Sequence, residues 1–233
     1  MRNPRALAYI IMASLAMFSV AGCGGSRESQ VANAIERYLP GIIGPADNYE
    51  VRVEGIRGAT GADLVTVTGT RVRPAGSPVL DRIEIALVGV VYNPNCAGLE
   101  RIARANGAVR VLSGDVAAFL DANRNLQNVE VQFQPPNQAV VRAQPQISGL
   151  ELPPGAEGVE VVGALVGEGA RIDYNISQVR ALGLTLPEPA PELLSDAINP
   201  VVDLSGIPIV AEVAEVRVEG NAVIAEVVGR YPQ

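Results

Sequence analysis

The residue best placed for chemistry is Cys23, which ends the short sequence Ser-Val-Ala-Gly-Cys at positions 19–23. Small residues directly before a cysteine resemble the bacterial lipobox, in which the thiol is diacylated and the segment before it is removed. The preceding residues follow the order of an export signal, because Arg2 and Arg5 precede an apolar run at 6–18 that is too short to span a bilayer. The alternative is an ordinary export signal with an incidental cysteine.

This N-terminus predicts where the protein resides. We expect residues 1–22 to be a cleaved lipoprotein signal peptide and residues 23–27 to be a lipidated N-terminus with a short tether. Two acyl signals are enough for stable anchoring, so the lipid on Cys23 would hold the protein on a membrane. We expect an exported envelope protein, on the periplasmic side or outer face of the cytoplasmic membrane or on an outer membrane. The other cysteine, Cys96, is interpreted as a small buried hydrophobe.

The remaining polar residues give no pattern for catalysis. The chain has no histidine, and Ser205 lies outside any Gly-x-Ser-x-Gly turn, so a serine hydrolase is not indicated. Scattered carboxylates could approach one another only through the tertiary fold, and none has calcium-loop spacing: Glu157, Glu160, Glu168, Asp173, Asp196 and Asp203. We therefore predict no enzyme activity, no metal and no cofactor.

Charge composition argues against nucleic acid as a partner. The 18 basic residues, all of them arginine, are outnumbered by 25 acidic ones. Neutralising phosphates needs a basic surface, and the sequence shows none.

Most of the chain alternates apolar and polar residues with period two, the pattern of antiparallel strands with one wet face. Turn residues separate these rows, and Gly220-Asn221 predicts a hairpin. Glycines on the apolar phase, Gly69, Gly89 and Gly163, favour a strongly bent sheet. The predicted rows are 49–53, 83–91, 129–133, 159–165, 172–176, 216–218 and 223–227.

Three segments have helical spacing instead. The first, from Val31, should end near Leu39 because of Pro40; the others are predicted at 113–126 and 189–198. Few helices and many strands predict a single α+β domain over residues 28–233, a strongly curved antiparallel sheet packed around two or three helices.

The segment 199–209, Asn-Pro-Val-Val-Asp-Leu-Ser-Gly-Ile-Pro-Ile, combines turn residues with aliphatic ones. Asp203 can accept a hydrogen bond from the amide of Ser205 or Gly206 in an Asx turn, and the chain should re-enter the sheet near Ile209. Aliphatic residues on such a turn either close one end of the core or line an opening into it.

This segment, with the 80–93, 113–133 and 179–200 stretches, resembles the LmeA-like phospholipid-binding family (DUF2993) over most of residues 28–229. The resemblance implies a tubular lipid-binding-like fold with an apolar tunnel. Pro40 departs from the family pattern, because it should shorten the helix inside the sheet.

Together these features predict an envelope lipoprotein that non-covalently binds the acyl chains of a phospholipid, as a carrier or lipid-presenting protein. The alternative is a structural or protein-interaction lipoprotein with a closed β-rich core and no ligand. Candidate lipid contacts, from the helical stripes and the 199–209 segment, are Ile35, Tyr38, Leu39, Phe119, Leu120, Leu194, Ile198, Val201, Leu204 and Ile207.

Overall fold

The computed structural model of the chain describes residues 26–58, 61–93, 98–207 and 212–229. The predicted signal peptide, Cys23, Cys96 and the re-entry point at Ile209 lie outside these residues. Within them the strands are β1 (Asn48–Arg57), β2 (Gly61–Val72), β3 (Leu80–Asn93), β4 (Gly98–Arg101), β5 (Arg104–Leu112), β6 (Leu126–Gln134), β7 (Gln138–Pro145), β8 (Val159–Glu168), β9 (Arg171–Ala181), β10 (Leu184–Thr185), β11 (Val202–Asp203), β12 (Glu212–Glu219) and β13 (Ala222–Gly229).

The helices of the described residues are α1 (Arg27–Ile42), α2 (Ser113–Asp121) and α3 (Ala190–Ile198). The α+β class and the antiparallel sheet are therefore confirmed, and all seven predicted rows lie in strands. The sequence rows did not include the longer strands β2, β5 and β7 or the short strands β4, β10 and β11. In β7, Val140 and Val141 are both buried, so its apolar residues do not alternate. In β5, Gly107 interrupts the apolar row.

The strands form two antiparallel sheets, whereas the sequence predicted a single curved one. The first has the order β1-β2-β3-β5-β13-β12, with β4 beside β3, and the second has the order β10-β9-β8-β7-β6, with β11 beside β9. The sheets meet along β12, where the amide of Val213 donates to the carbonyl of Gly169 at 2.6 Å and that of Val218 donates to Pro136 at 2.7 Å. Buried side chains of both sheets and all three helices belong to one apolar cluster, from Val31 to Val227.

The predicted end of the first helix near Leu39 is wrong, because α1 continues past Pro40 to Ile42. Proline in the last turn removes one helical hydrogen bond and strains the preceding turn, yet the helix is closed by the amide of Ile43, which donates to Leu39 at 2.9 Å. Tertiary contacts compensate for the hydrogen bond that is lost at Pro40. The helix packs on β1, buries Ile35 and Leu39, and its Glu36 accepts a hydrogen bond from the amide of Val51 at 2.8 Å.

Helix α2 is shorter than predicted, since the chain turns after Asp121 and enters β6 at Leu126. No side chain caps its N-terminus. Instead Asp115 in the first turn receives two hydrogen bonds from the guanidinium of Arg71, at 2.5 and 2.7 Å. This ion pair fixes the helix to β2, and the carboxylate also complements the positive end of the helix dipole. Helix α3 begins at Ala190, one residue after the predicted start.

The segment 199–207 extends the second sheet. The side chain of Asn199 forms the hydrogen bonds to β9 that a neighbouring strand would form. Its Oδ1 accepts from the amide of Tyr174 at 2.6 Å, and its Nδ2 donates to the carbonyl of Tyr174 at 3.1 Å. The following residues then pair with β9 as β11. The predicted Asx turn is confirmed, because the amide of Ser205 donates to Oδ1 of Asp203 at 2.8 Å. The amide of Asp203 also donates to Ser77 Oγ at 3.3 Å, which ties the segment to the first sheet.

Asn199→Ala is expected to lower the free energy of unfolding by about 2–3 kcal/mol, because it leaves polar groups of Tyr174 without partners. Urea unfolding would measure the change in the free energy of unfolding. Asn175→Ala is the control, because Asn175 is an exposed asparagine on β9, the strand that contains Tyr174. Equal stability of the two variants would show that Asn199 does not hold this segment in place.

Two of the glycines that predicted bending lie at irregular positions in the ladders. Gly89 has a positive φ of 64°, and the pairing of β2 with β3 skips it. At Gly163 the register between β8 and β9 shifts. The shift at Gly163 is a bulge, which bends a strand and increases its twist, whereas the register of β2 and β3 is the same on both sides of Gly89.

Candidate functional site

The structure places most of the predicted lipid contacts in the core. Eight of the ten are buried, with side chains at most 6% exposed: Ile35, Leu39, Leu120, Leu194, Ile198, Val201, Leu204 and Ile207. Of the other two, Tyr38 is 38% exposed on α1 and Phe119 is half-buried on α2. Leu204 and Ile207, expected near a mouth, are almost inaccessible to solvent. A role for these residues in lipid contact stays a prediction, and it would require the core to open.

A groove of about 540 Å³ lies elsewhere, at one end of the second sheet. It is formed where β7 ends and β8 begins, and it is bordered by the turn that follows β9. None of the ten predicted contacts lines it. Its volume is within the range of about 300–1,000 Å³ that is usual for small-molecule sites.

Three charged side chains form one wall of the groove. Glu160 on β8 is paired across the sheet with Arg142 on β7 and with Arg180 on β9. Arg142 donates from Nε and Nη2 to one carboxylate oxygen, at 3.0 and 2.8 Å, while Arg180 Nη1 lies 3.8 Å from the other. One acid therefore stands between two cations, and the three groups together carry a charge of +1.

Both guanidinium groups remain accessible. The side chain of Arg142 is 53% exposed and that of Arg180 is 44% exposed, against 29% for Glu160. Arg180 also donates to Gln178 at 2.6 Å. Because a guanidinium has five donors, these bonds leave N–H groups on each arginine for an anionic ligand such as a phosphate or carboxylate.

The rest of the groove combines polar and apolar atoms. Asn128 donates to Gln144 at 2.7 Å within the lining, and the buried Ala143 and Val159 also contribute to it. Leu182 stands at the rim with 65% of its side chain exposed. Such a lining suits an amphipathic ligand with an anionic group and an aliphatic part.

A second ionic cluster, in the first sheet, has a structural role. Arg71, which pairs with Asp115, lies 3.9 Å from Asp81, and Asp81 also pairs with Arg110. Two acids and two arginines balance, so this cluster leaves no cation for a ligand. The hydrogen bond to Asp115 raises the pKa of Arg71, so the guanidinium stays charged in the pair that attaches α2 to the sheet.

Of the carboxylates considered for catalysis, the structure brings Glu168 and Asp173 into hydrogen-bond contact and places Asp203 close enough to act on Asp173 electrostatically. Burial, followed by a hydrogen bond shared with Glu168, raises the pKa of Asp173, while Arg171 opposes the rise. Asp203 serves the Asx turn and Glu160 pairs with arginines. Across the described ranges, no three acidic, cysteine or histidine side chains are placed to hold a metal ion.

Sequence reasoning missed the groove residues for a physical reason. Arg142, Glu160 and Arg180 are separated by 18 and 20 positions, and only the strand register brings them together. One local feature could have indicated the rim. Leu182-Gly183 separates the end of β9 from a short apolar segment and therefore lies in a turn. A leucine in a turn is expected at the surface.

Comparison of the chain with protein-family models, curated proteins and solved structures found no match. The resemblance to the LmeA-like family therefore stays a prediction. Among the described residues, no helix has the length and apolar character needed to cross a membrane.

Proposed function

We propose that the protein is a membrane-anchored envelope lipoprotein that binds a phospholipid non-covalently, holding or presenting it without making or breaking a bond. Lipid on Cys23 is the anchor, and residues 28–233 form the binding domain. As part of the same proposal, the two bent sheets form a wall of the tubular lipid-binding type. The order of charged, apolar and small residues before Cys23 supports export and anchoring.

The observation that carries the proposal is the shared border of the groove, where two accessible arginines lie beside an exposed leucine. The guanidinium groups of Arg142 and Arg180 would donate hydrogen bonds to the lipid phosphate. Leu182 would contact the glycerol or the first methylenes of an acyl chain. A phosphate would share the two arginines with Glu160, so it would bind without leaving either cation unpaired.

The proposal moves the lipid away from the helices. Burial of Leu204 and Ile207 makes an acyl tunnel through the core costly, because opening it would expose a large apolar area at about 25 cal/mol per Å². The groove needs no such opening, and the acyl chains could remain partly in the bilayer beside the anchored domain.

The test is native mass spectrometry of the protein purified from cells, comparing wild type with the Arg142→Gln/Arg180→Gln double variant. A charge-assisted hydrogen bond contributes about 1.5–3 kcal/mol, which half-exposure reduces to about 1 kcal/mol for each arginine. We therefore expect the affinity for phospholipid to fall at least about tenfold.

The matched control is Arg52→Gln/Arg82→Gln. These arginines are also exposed and paired with glutamates, but they lie on the first sheet. Retention of lipid by the groove variant, or equal loss in both variants, would contradict a headgroup site in the groove. Wild-type protein that carries no phospholipid would remove the proposed function.

One observation favours the second candidate, a structural or protein-interaction lipoprotein without a ligand. The predicted lipid contacts are packed in one closed cluster with the inner faces of both sheets. That candidate predicts no bound lipid in the same mass spectra and full retention of a protein partner by the groove variant.

A further inference from the structure

The turn between β9 and β10 has an unusual residue for its conformation. Leu182 has a φ of 50° and Gly183 a φ of 76°, while Ala181 and Leu184 are paired across the turn. Two central residues with positive φ form a tight hairpin in which asparagine, aspartate or glycine is favoured. Leucine in this region is strained, since its Cβ crowds the following carbonyl oxygen.

Packing does not compensate for that strain. Leu182 is 65% exposed and Leu184 is 61% exposed, which makes them the most exposed large hydrophobic side chains of the described residues. Tyr38, Val88 and Val166, the other exposed ones, reach only 36–39%. A strained leucine in solvent costs stability, so its presence points to a contact outside the folded domain.

Cations lie directly behind the two leucines. Arg180 is paired with Thr185, one step from the turn, and its neighbour across β8 is Arg142. With Glu160 between them, the three groups carry +1 in a chain of net charge −7. The apolar turn is therefore followed by a cationic row on an otherwise acidic protein.

We propose that the leucine tip, Leu182 to Leu184, inserts into the surface of a phospholipid bilayer, with Arg180 and Arg142 at the level of the phosphates. This inference rests on the proposed function only in taking the anchored domain to lie beside a membrane. Aliphatic residues ahead of arginines match the order of acyl chains and phosphates met from inside a bilayer outward.

The size of the tip distinguishes a bilayer from a second protein. A stable protein interface buries about 1,200–2,000 Å², far more than two leucines can supply. A bilayer needs no such area when an anchor already holds the domain at a high local concentration. Shallow insertion of two side chains then sets the orientation of the domain, turning the groove towards the lipid.

The chain contains no tryptophan, so Leu182→Trp introduces a single reporter. The experiment uses the full-length lipidated protein in vesicles of phosphatidylcholine and phosphatidylglycerol, with and without bromine on the acyl chains. We expect the fluorescence of the tip variant to shift to the blue in vesicles and to be quenched by the brominated lipid.

Val166→Trp is the matched control. Val166 is an exposed aliphatic residue on β8, six residues beyond Glu160, and therefore roughly 20 Å from the groove end of the sheet. Its fluorescence should not respond to brominated lipid. Absence of quenching at 182, equal quenching at both positions, or a blue shift at 182 in detergent that grows with protein concentration would overturn the proposal, the last in favour of self-association.

Leu182→Asn separates folding from docking. Asparagine suits the positive φ, so this variant should melt at or above the temperature of wild type. In the full-length lipidated protein, Leu184→Trp reports on the same tip, and its quenching by brominated lipid should fall when Leu182→Asn is added, because the tip then has one leucine fewer to insert. Unchanged quenching would overturn the proposal. Loss of phospholipid from the Arg142→Gln/Arg180→Gln protein is a separate result, so the two proposals can fail independently.

Discussion

Replacing Leu204 with glutamate is expected to unfold the domain. The Leu204 side chain has no solvent exposure and belongs to the main core cluster. Its loss alone costs about 2–5 kcal/mol, and an unpaired carboxylate at a buried site adds several more. The sum reaches the whole stability of a typical domain, about 5–15 kcal/mol. Circular dichroism and thermal melting would show the loss of structure.

The control for this prediction is Leu184→Glu, because Leu184 is 61% exposed and a charge there can hydrate. We expect its melting temperature to match that of wild type. A folded Leu204→Glu protein that has lost its lipid would reverse the conclusion, since it would place Leu204 at an opening and restore the predicted route through the core.

Gly163→Ala is expected to destabilise the domain by about 1–3 kcal/mol, the usual cost of overpacking. A Cβ at this position would collide with the backbone carbonyl of Asn175 and lie 2.9 Å from the ring of Tyr174. That ring is fixed by its hydroxyl, which lies 2.8 Å from the carbonyl oxygens of Ala139 and Val161. Burial also raises the pKa of Tyr174, which keeps the phenol protonated as a donor. Urea unfolding would measure the change.

Gly114→Ala provides a matched substitution with the opposite sign. Gly114 lies in the first turn of α2, and an added Cβ would meet nothing within 4 Å. Alanine there should stabilise the protein by up to about 1 kcal/mol, because it restricts the unfolded chain and favours helix. Equal effects at positions 163 and 114 would show that the close approach of the Asn175 carbonyl and the Tyr174 ring is not what requires a glycine.

Local features of this protein followed from the sequence alone. Alternation predicted the strands because side-chain direction along an extended chain depends only on the backbone. The Asx turn at Asp203 and the hairpin at Gly220-Asn221 were also predicted, and both are present. These interactions join residues within a few positions of each other, so no knowledge of the distant chain is needed.

The errors occurred where distant contacts opposed a local tendency. Pro40 should have ended α1, but packing on β1 and the bond from Val51 to Glu36 hold the helix together beyond it. Helix α2 was predicted too long because residues 122–125 form a turn and Leu126 already pairs with Pro145 in β6. A local preference of about 1 kcal/mol per residue is smaller than the free energy of forming a buried strand.

The candidate site was decided almost entirely by the tertiary structure. The sequence shows which residues are arginines and leucines, yet it could not say that Arg142, Glu160 and Arg180 share one row, or that Leu204 is buried while Leu182 is not. Hydrophobicity is the same for both leucines. The register of the strands decides whether the three charged residues share a row, because a slip of one residue would turn each charge to the other face of the sheet. Packing of the second sheet against the first sheet decides which leucine is buried. It covers the 199–207 segment and leaves the β9–β10 turn in solvent.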